Sequence, residues 1–207
     1  KFVGDEIMAV FGALKSYGND AGHAAACALE MIAERERLNR DALHPLHIGI
    51  GVATGEAVAG CMGSVDRLNY TVVGARVNLA SRLEGLTKEY GVGILVTENI
   101  VGKTPDYVFR EVDKVRVKGK HEGVAIFEPL GKQGEVGPET MQELDRFQKA
   151  LDAYRAQRWD DAEKLLKNLA YAAPKSKLYK LYLDRVAHFR QNPPPSGWDG
   201  VFTFTTK

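Results

Sequence analysis

An α/β or α+β fold built on a mixed sheet, followed by a small helical tail, is what the sequence predicts, and three observations carry that reading. Short apolar runs suited to strands alternate with longer helix-favouring segments over residues 1–131. The stretch GKQGEVGPET, with three glycines and a proline, then interrupts the alternation as a linker does. Beyond it the composition turns helical, in ELDRFQKALDAYRAQRWDDAEKLLKNLAYAAP and KSKLYKLYLDRVAHFRQ. The expected organisation is a first domain over residues 1–131, a linker over 132–138 and a helical tail over 139–207.

Each element has a local reason. KFV and EIMAVFG read as two short buried strands joined at Gly4-Asp5, because Gly-Asp between apolar runs is hairpin chemistry. DAGHAAACALEMIAERERLNRD has high helix propensity, with Asn19 or Asp20 as its N-cap. In LHIGIGVATGEAVAGCMG, His47, Gly49 and Gly51 alternate with Ile48, Ile50 and Val52, the pattern of a strand whose backbone is closely approached, and the later glycines mark a bend and return. DRLNYTVVG is a strand. ARVNLASRLEGLTKEYG is an amphipathic helix with Val77, Leu79, Ala80, Leu83 and Leu86 inward and Gly91 as its stop. GILVT is a buried strand, TENIVGKT a short helix, and DYVFREVDKVRVKG and EGVAIFEPL are two more strands. In the tail, the spacing of Ala150, Tyr154, Trp159 and Ala162, ending near Pro174, resembles one tetratricopeptide-like helical pair. A single such pair cannot bury its own apolar face, so it is expected to pack on the first domain or on a partner chain.

The chain-wide balance excludes several classes. Twenty-eight Lys and Arg against 27 Asp and Glu leave a net charge of +1, with no global pull toward nucleic acid or an anionic membrane, so an anionic ligand must be held locally. Cys27 and Cys61 are too few for a disulfide framework and lack metal-ligand spacing, which points to a reducing, cytoplasmic setting. No run of about 18 apolar residues and no basic-then-apolar leader occurs. Residue 1 is not methionine and lies inside a strand-like run, so the sequence reads as part of a longer chain, with an anchor upstream left open.

Three constellations carry chemistry. Lys1 and Asp5 flank a glycine turn; such a turn is ordinarily only a turn, but a carboxylate at its tip also suits Mg2+, which takes oxygen ligands from carboxylates and phosphates. Asn78 and Arg82, spaced i and i+4, share one helical face beside small residues; they are ordinarily solvated, yet Arg is well shaped to clamp phosphate oxygens. Lys118-Gly119-Lys120 closes a strand, ordinarily as a charged turn, and lysines so flanked also hold phosphates as point charges.

Taken in order, KFVGDEIMAVFG, GIGVATGEAVAG, NYTVVGARVNLASRLE and VKGK resemble the class III nucleotidyl cyclase catalytic domain over Lys1 to about Leu130. The resemblance implies an α+β, ferredoxin-like fold with flanking helices. It implies that Asp5 is the second of two metal-binding aspartates, the first lying on an earlier strand that the chain lacks, with two Mg2+ or Mn2+ ions per site. Lys1 matches the lysine that reads adenine, and Thr71 its partner in the purine pocket: a lysine suits the N1 acceptor, and a hydroxyl accepts from the N6 amino group. Guanylyl members generally carry glutamate at the Lys1 position. Threonine at position 71 resembles a subgroup that includes bicarbonate-responsive bacterial enzymes. Asn78 matches the residue that orients the ribose, Arg82 the one that stabilises the pentavalent phosphorus, and Lys118 the one on the terminal phosphates.

The activity implied is adenylate cyclase, turning ATP into 3',5'-cyclic AMP and pyrophosphate for signalling. In the family each site draws on two subunits, which implies a head-to-tail homodimer in which Lys1 and Asp5 serve different sites. The alternatives are a guanylate cyclase and a non-catalytic nucleotide-binding module that docks a partner through its helical tail.

Overall fold

The computed structural model describes residues 1–64, 67–116 and 123–201. The chain runs β1 (Phe2–Val3), β2 (Glu6–Ile7), α1 (Asp20–Asn39), β3 (Ile50–Val52), β4 (Val58–Ser64), β5 (Arg67–Val73), α2 (Ala75–Tyr90), β6 (Ile94–Thr97), α3 (Glu98–Lys103), β7 (Tyr107–Arg116), β8 (Gly123–Lys132), α4 (Pro138–Arg155), α5 (Trp159–Ala172) and α6 (Lys177–Gln191). It is a mixed α+β structure. The central sheet has the order β3-β6-β8-β7, with β3 and β6 parallel and the other pairs antiparallel. β4 and β5 form a separate hairpin arm, paired in register from Val58↔Val73 to Ser64↔Arg67.

The sheet is covered on both faces, and β6 shows why: all four of its residues are buried, but they alternate between two cores. Ile94 and Val96 pack with Ile50, Val52, Ala21, Ala28 and Ile100, the layer supplied by α1 and α3. Leu95 points the other way, into a core shared with Leu79 and Leu83 of α2 and with the C-terminal helices. α1 is started by Asn19, whose side chain accepts from the Gly22 N–H at 2.9 Å. α2 stops at Gly91, which takes the left-handed conformation at φ 68° and donates its N–H to the Thr87 carbonyl.

α2 lies close on β3, backbone against backbone at Gly51. A Cβ on Gly51 would collide with the Ala80 carbonyl oxygen and lie 2.5 Å from the Glu84 nitrogen, and one on Gly49 would collide with Thr87 Oγ1. The alternating glycines therefore form the seat of the helix.

The helices α4, α5 and α6 do not hold a core of their own. Each shows an inward face at helical spacing: Phe147, Ala150, Leu151 and Tyr154; Ala162, Leu166 and Leu169; Tyr179, Tyr182, Val186 and Phe189. These residues join one continuous apolar cluster with Leu83, Leu95, Val112 and Ile126. Around it, charged residues of β7 meet partners from β8, from the helices and from the segment after α6. Arg110 donates to Glu128, Glu143 and Tyr179, Arg155 donates to Glu111 at 2.6 Å, and Arg116 pairs with Asp199 at 3.0 Å. Burial raises the Glu128 carboxyl above the usual range even with Arg110 beside it.

At the centre of this seam is Asp113. The β7–β8 register runs Glu111↔Phe127 and then Asp113↔Ile126, so Val112 is an extra residue in the ladder. That bulge lets the consecutive residues Val112 and Asp113 both be buried, at 0% and 1% exposure. The Asp113 carboxylate accepts from Arg185 at 2.6 Å, from the Tyr90 hydroxyl at 2.5 Å and from the Lys114 N–H at 2.7 Å. Burial, reinforced by the Asp113 charge, pushes the Tyr90 hydroxyl well above the usual phenol range, so it remains a donor. Burial acts against the Arg185 charge, but Asp113 outweighs it and the guanidinium stays charged.

The first two strands differ from expectation. EIMAVFG is strand only at Glu6–Ile7, and neither strand is buried: Phe2 is 78% exposed and Ile7 62%. Among the described residues β1 pairs with β2 alone, and a two-stranded ribbon by itself has no second layer to cover its faces. Among the described residues, no helix is long and apolar enough to cross a membrane.

Arg185→Ala would leave Asp113 buried beside a vacated cation, and we expect a loss of ~3–5 kcal/mol in unfolding free energy, measured by urea titration. Gly51→Ala forces a methyl into the α2 backbone, with an expected loss of ~1–3 kcal/mol by the same measurement.

Candidate functional site

The candidate site is built from the first hairpin, the end of β5 and the first turns of α2. The Gly4-Asp5 turn has positive φ at Gly4 alone, 64°, the pattern of a II′ hairpin turn with glycine in its first central position. The hairpin closes at its base through the Met8 N–H, which donates to the Lys1 carbonyl at 2.8 Å. Lys1 and Asp5 thus stand at opposite ends of the ribbon, about 10 Å apart at the usual rise per residue.

From the base of that ribbon Lys1 Nζ donates to Thr71 Oγ1 at 3.3 Å, across 70 positions of sequence. Thr71 lies in β5, opposite Gly60 of β4. Together they present an ammonium donor beside a hydroxyl that can accept, which suits the edge of a heteroaromatic base carrying one acceptor and one amino group.

Three residues after Thr71 the chain reaches Gly74 and turns into α2, where Asn78 and Arg82 are exposed on successive turns of one face. An amide and a guanidinium in that relation can hold a hydroxyl and an anionic oxygen one turn apart. The buried side of the same helix carries Leu79 and Leu83, so packing fixes which way the polar face points.

Asp5 is exposed at the ribbon tip. Its carboxylate is a hard oxygen ligand of the kind Mg2+ takes, but among the described residues no group of three or more His, Cys, Asp or Glu comes together to hold a metal. Asp5 alone could supply one oxygen ligand. Lys118 lies outside the described residues. The structure thus brings Lys1 to Thr71, keeps Asn78 with Arg82, and sets Asp5 apart from Lys1. Sequence reasoning missed the buried supports Tyr90, Asp113 and Arg185. Tyr90 and Arg185 carry no local signal, and Asp113 shares the charged, half-apolar run VFREVDKV with Glu111, from which nothing local distinguishes it.

Comparison with known proteins identifies the family. Residues 1–128 match the adenylate and guanylate cyclase catalytic domain. An adenylate cyclase of Anabaena cylindrica is 40% identical over 139 residues, covering 62% of this chain and 27% of that protein. The chain thus spans about a quarter of the length of this relative. Among solved structures, the adenylyl cyclase CyaB from P. aeruginosa superposes with a TM-score of 0.54 at 30% identity, over 66% of this chain and 73% of that one. The guanylyl cyclase Cya2 superposes with a TM-score of 0.53 at 34% identity, over 64% and 72% of the two chains. The chain belongs to the family of adenylate and guanylate cyclase catalytic domains.

Proposed function

We propose that this chain is the catalytic region of an adenylate cyclase that converts ATP to 3',5'-cyclic AMP and pyrophosphate. The observation that carries the reading is the bond from Lys1 Nζ to Thr71 Oγ1, which pairs a donor for adenine N1 with an acceptor for the N6 amino group. The likeness to a relative named adenylate cyclase supports it. In the same reading the purine pocket, with Thr71, is of the threonine-containing subgroup, and the helical pair α4–α5 is tetratricopeptide-like.

The family binds nucleotide substrates, works as dimers and generally uses a divalent metal. In our reading Asp5 would hold Mg2+ or Mn2+, together with a second aspartate that the family resemblance implies. When bound, the metal supplies a lowered pKa at the ribose 3'-hydroxyl and neutralises phosphate charge. Lys1 and Thr71 fix the base, and Asn78 orients the ribose so that its 3'-oxygen lies in line with the α-phosphorus. The new bond joins O3' to the α-phosphorus, the bond to the β-phosphate oxygen breaks, and the hydroxyl proton leaves to solvent. Negative charge builds on the non-bridging oxygens, where Arg82 stabilises it. Lys118 acts as a point charge on the departing pyrophosphate.

Because Lys1 and Asp5 stand at opposite ends of one ribbon, they serve different sites of a head-to-tail homodimer in this reading. A guanylate cyclase is the second reading, favoured by the likeness to Cya2.

Arg82→Ala in the intact protein is expected to lose ~3 kcal/mol of transition-state stabilisation, roughly a hundredfold in kcat, while ATP binding measured by calorimetry persists. Wild-type turnover in that variant rules the reading out. Lys1→Glu is expected to shift the ratio of kcat/KM for ATP over GTP toward GTP; a wild-type enzyme that prefers GTP supports the second reading.

A further inference from the structure

α2 is held in two places. Its middle rests on the backbone of β3, where Gly51 leaves no side chain between helix and sheet, and one turn further on the Thr87 side chain fills the space at Gly49. Its last turn is gripped by α6. Lys177 Nζ donates to the Lys88 carbonyl at 2.6 Å, meeting one of the carbonyls left open at a helix C-terminus with a cation, and the Lys177 side chain lies where a Cβ on Gly91 would be. Two turns further along α6, Arg185 bonds Asp113 at 2.6 Å and reaches the Tyr90 hydroxyl at 3.4 Å. Its guanidinium also lies over the rings of Tyr182 and Tyr90, 5.1 and 5.7 Å from their centroids. α6 is itself tied to β7, since the Tyr182 hydroxyl donates to the Val112 carbonyl at 2.8 Å.

These bonds do something that apolar packing does not. A buried ion pair often adds little net stability over well-packed apolar residues, but its bonds are directional and admit one arrangement. Tyr90 is the last residue of α2, and Arg82 lies eight residues earlier, about 12 Å along the axis. A helix of this length on a backbone-to-backbone seat moves as a rod, so a shift or turn at Tyr90 is carried to Asn78 and Arg82.

We propose that α6 is a positioning element for α2: Arg185, through Asp113 and Tyr90, and Lys177, at the Lys88 carbonyl, set where Asn78 and Arg82 stand. This rests on the cyclase reading above, in which those two residues meet the nucleotide. Tyr90, Asp113, Lys177 and Arg185 are positioning residues and touch no reacting atom. The C-terminal helices are then part of the machinery of the site.

The test is a double-mutant cycle on kcat for ATP in the intact protein, with Tyr90→Phe and Lys177→Ala each made alone and combined with Arg82→Lys. Tyr90→Phe keeps the ring and removes only the hydroxyl; Lys177→Ala is an exposed change that keeps the test open where Tyr90→Phe fails to fold. With Arg82 present, either variant is expected to lower kcat about three- to tenfold while remaining fully folded at the assay temperature by circular dichroism. With lysine already at position 82, the same variant is expected to lower kcat by a clearly smaller factor, because the share of its effect transmitted through Arg82 is already lost while the share through Asn78 remains. A merely structural role removes active molecules in both backgrounds alike. Equal falls in the two backgrounds, or no fall in either, overturn the proposal. Wild-type turnover in Arg82→Lys alone fails the cyclase reading itself, a result that Tyr90 and Lys177 do not affect.

Discussion

One buried carboxylate organises the contact between the sheet and everything C-terminal to it. Asp113 accepts from a residue of α2, a residue of α6 and the backbone of its own strand. Few single groups satisfy three elements at once, and a buried charge must be fully bonded to be tolerated at all. The bulge at Val112, the aromatic face of α6 and the end point of α2 are all conditions for those three bonds. Removing any of them leaves a charge in an apolar core.

This constraint explains how residues 138–191 relate to the sheet. An αα pair has an apolar face to hide, and here the hidden face is shared with Leu83, Leu95 and Ile126. The flanking pairs, Arg155 with Glu111 and Arg110 with Glu128 and Glu143, are only partly exposed and line the same strand. Strand β7 thus meets α4 and α6 through apolar contacts at its middle and ionic contacts beside them, a pattern that fixes register as well as attraction.

Much of this was legible because it is local. The Asn19 cap, the Gly91 stop, the Gly4-Asp5 turn and the two-faced run Ile94–Thr97 are each decided by neighbours within a few residues. The glycine alternation at Gly49 and Gly51 announced a close backbone approach, though not that α2 would be the element approaching. The pairing of Asn78 with Arg82 follows from helical spacing, whereas that of Lys1 with Thr71 spans 70 positions and entered only through family resemblance. Burial of the first hairpin was misread because apolar residues announce a need for cover, not its presence. Asp113 was unreadable for a related reason: its partner Arg185 lies 72 residues away, and a bulge, not the strand period, turns it inward.

The aromatic packing behind this seam has an optical consequence. Both tryptophans of the chain, Trp159 and Trp198, sit in one cluster with Tyr154 and Phe189, their ring centroids 6.3 Å apart. Neither lies in the sheet or in α2, so the indole emission of this chain reports on α5 and on the segment that follows α6. A change in that emission on nucleotide binding would report movement of the helical layer, which the Asp113 bonds tie to the sheet and to α2.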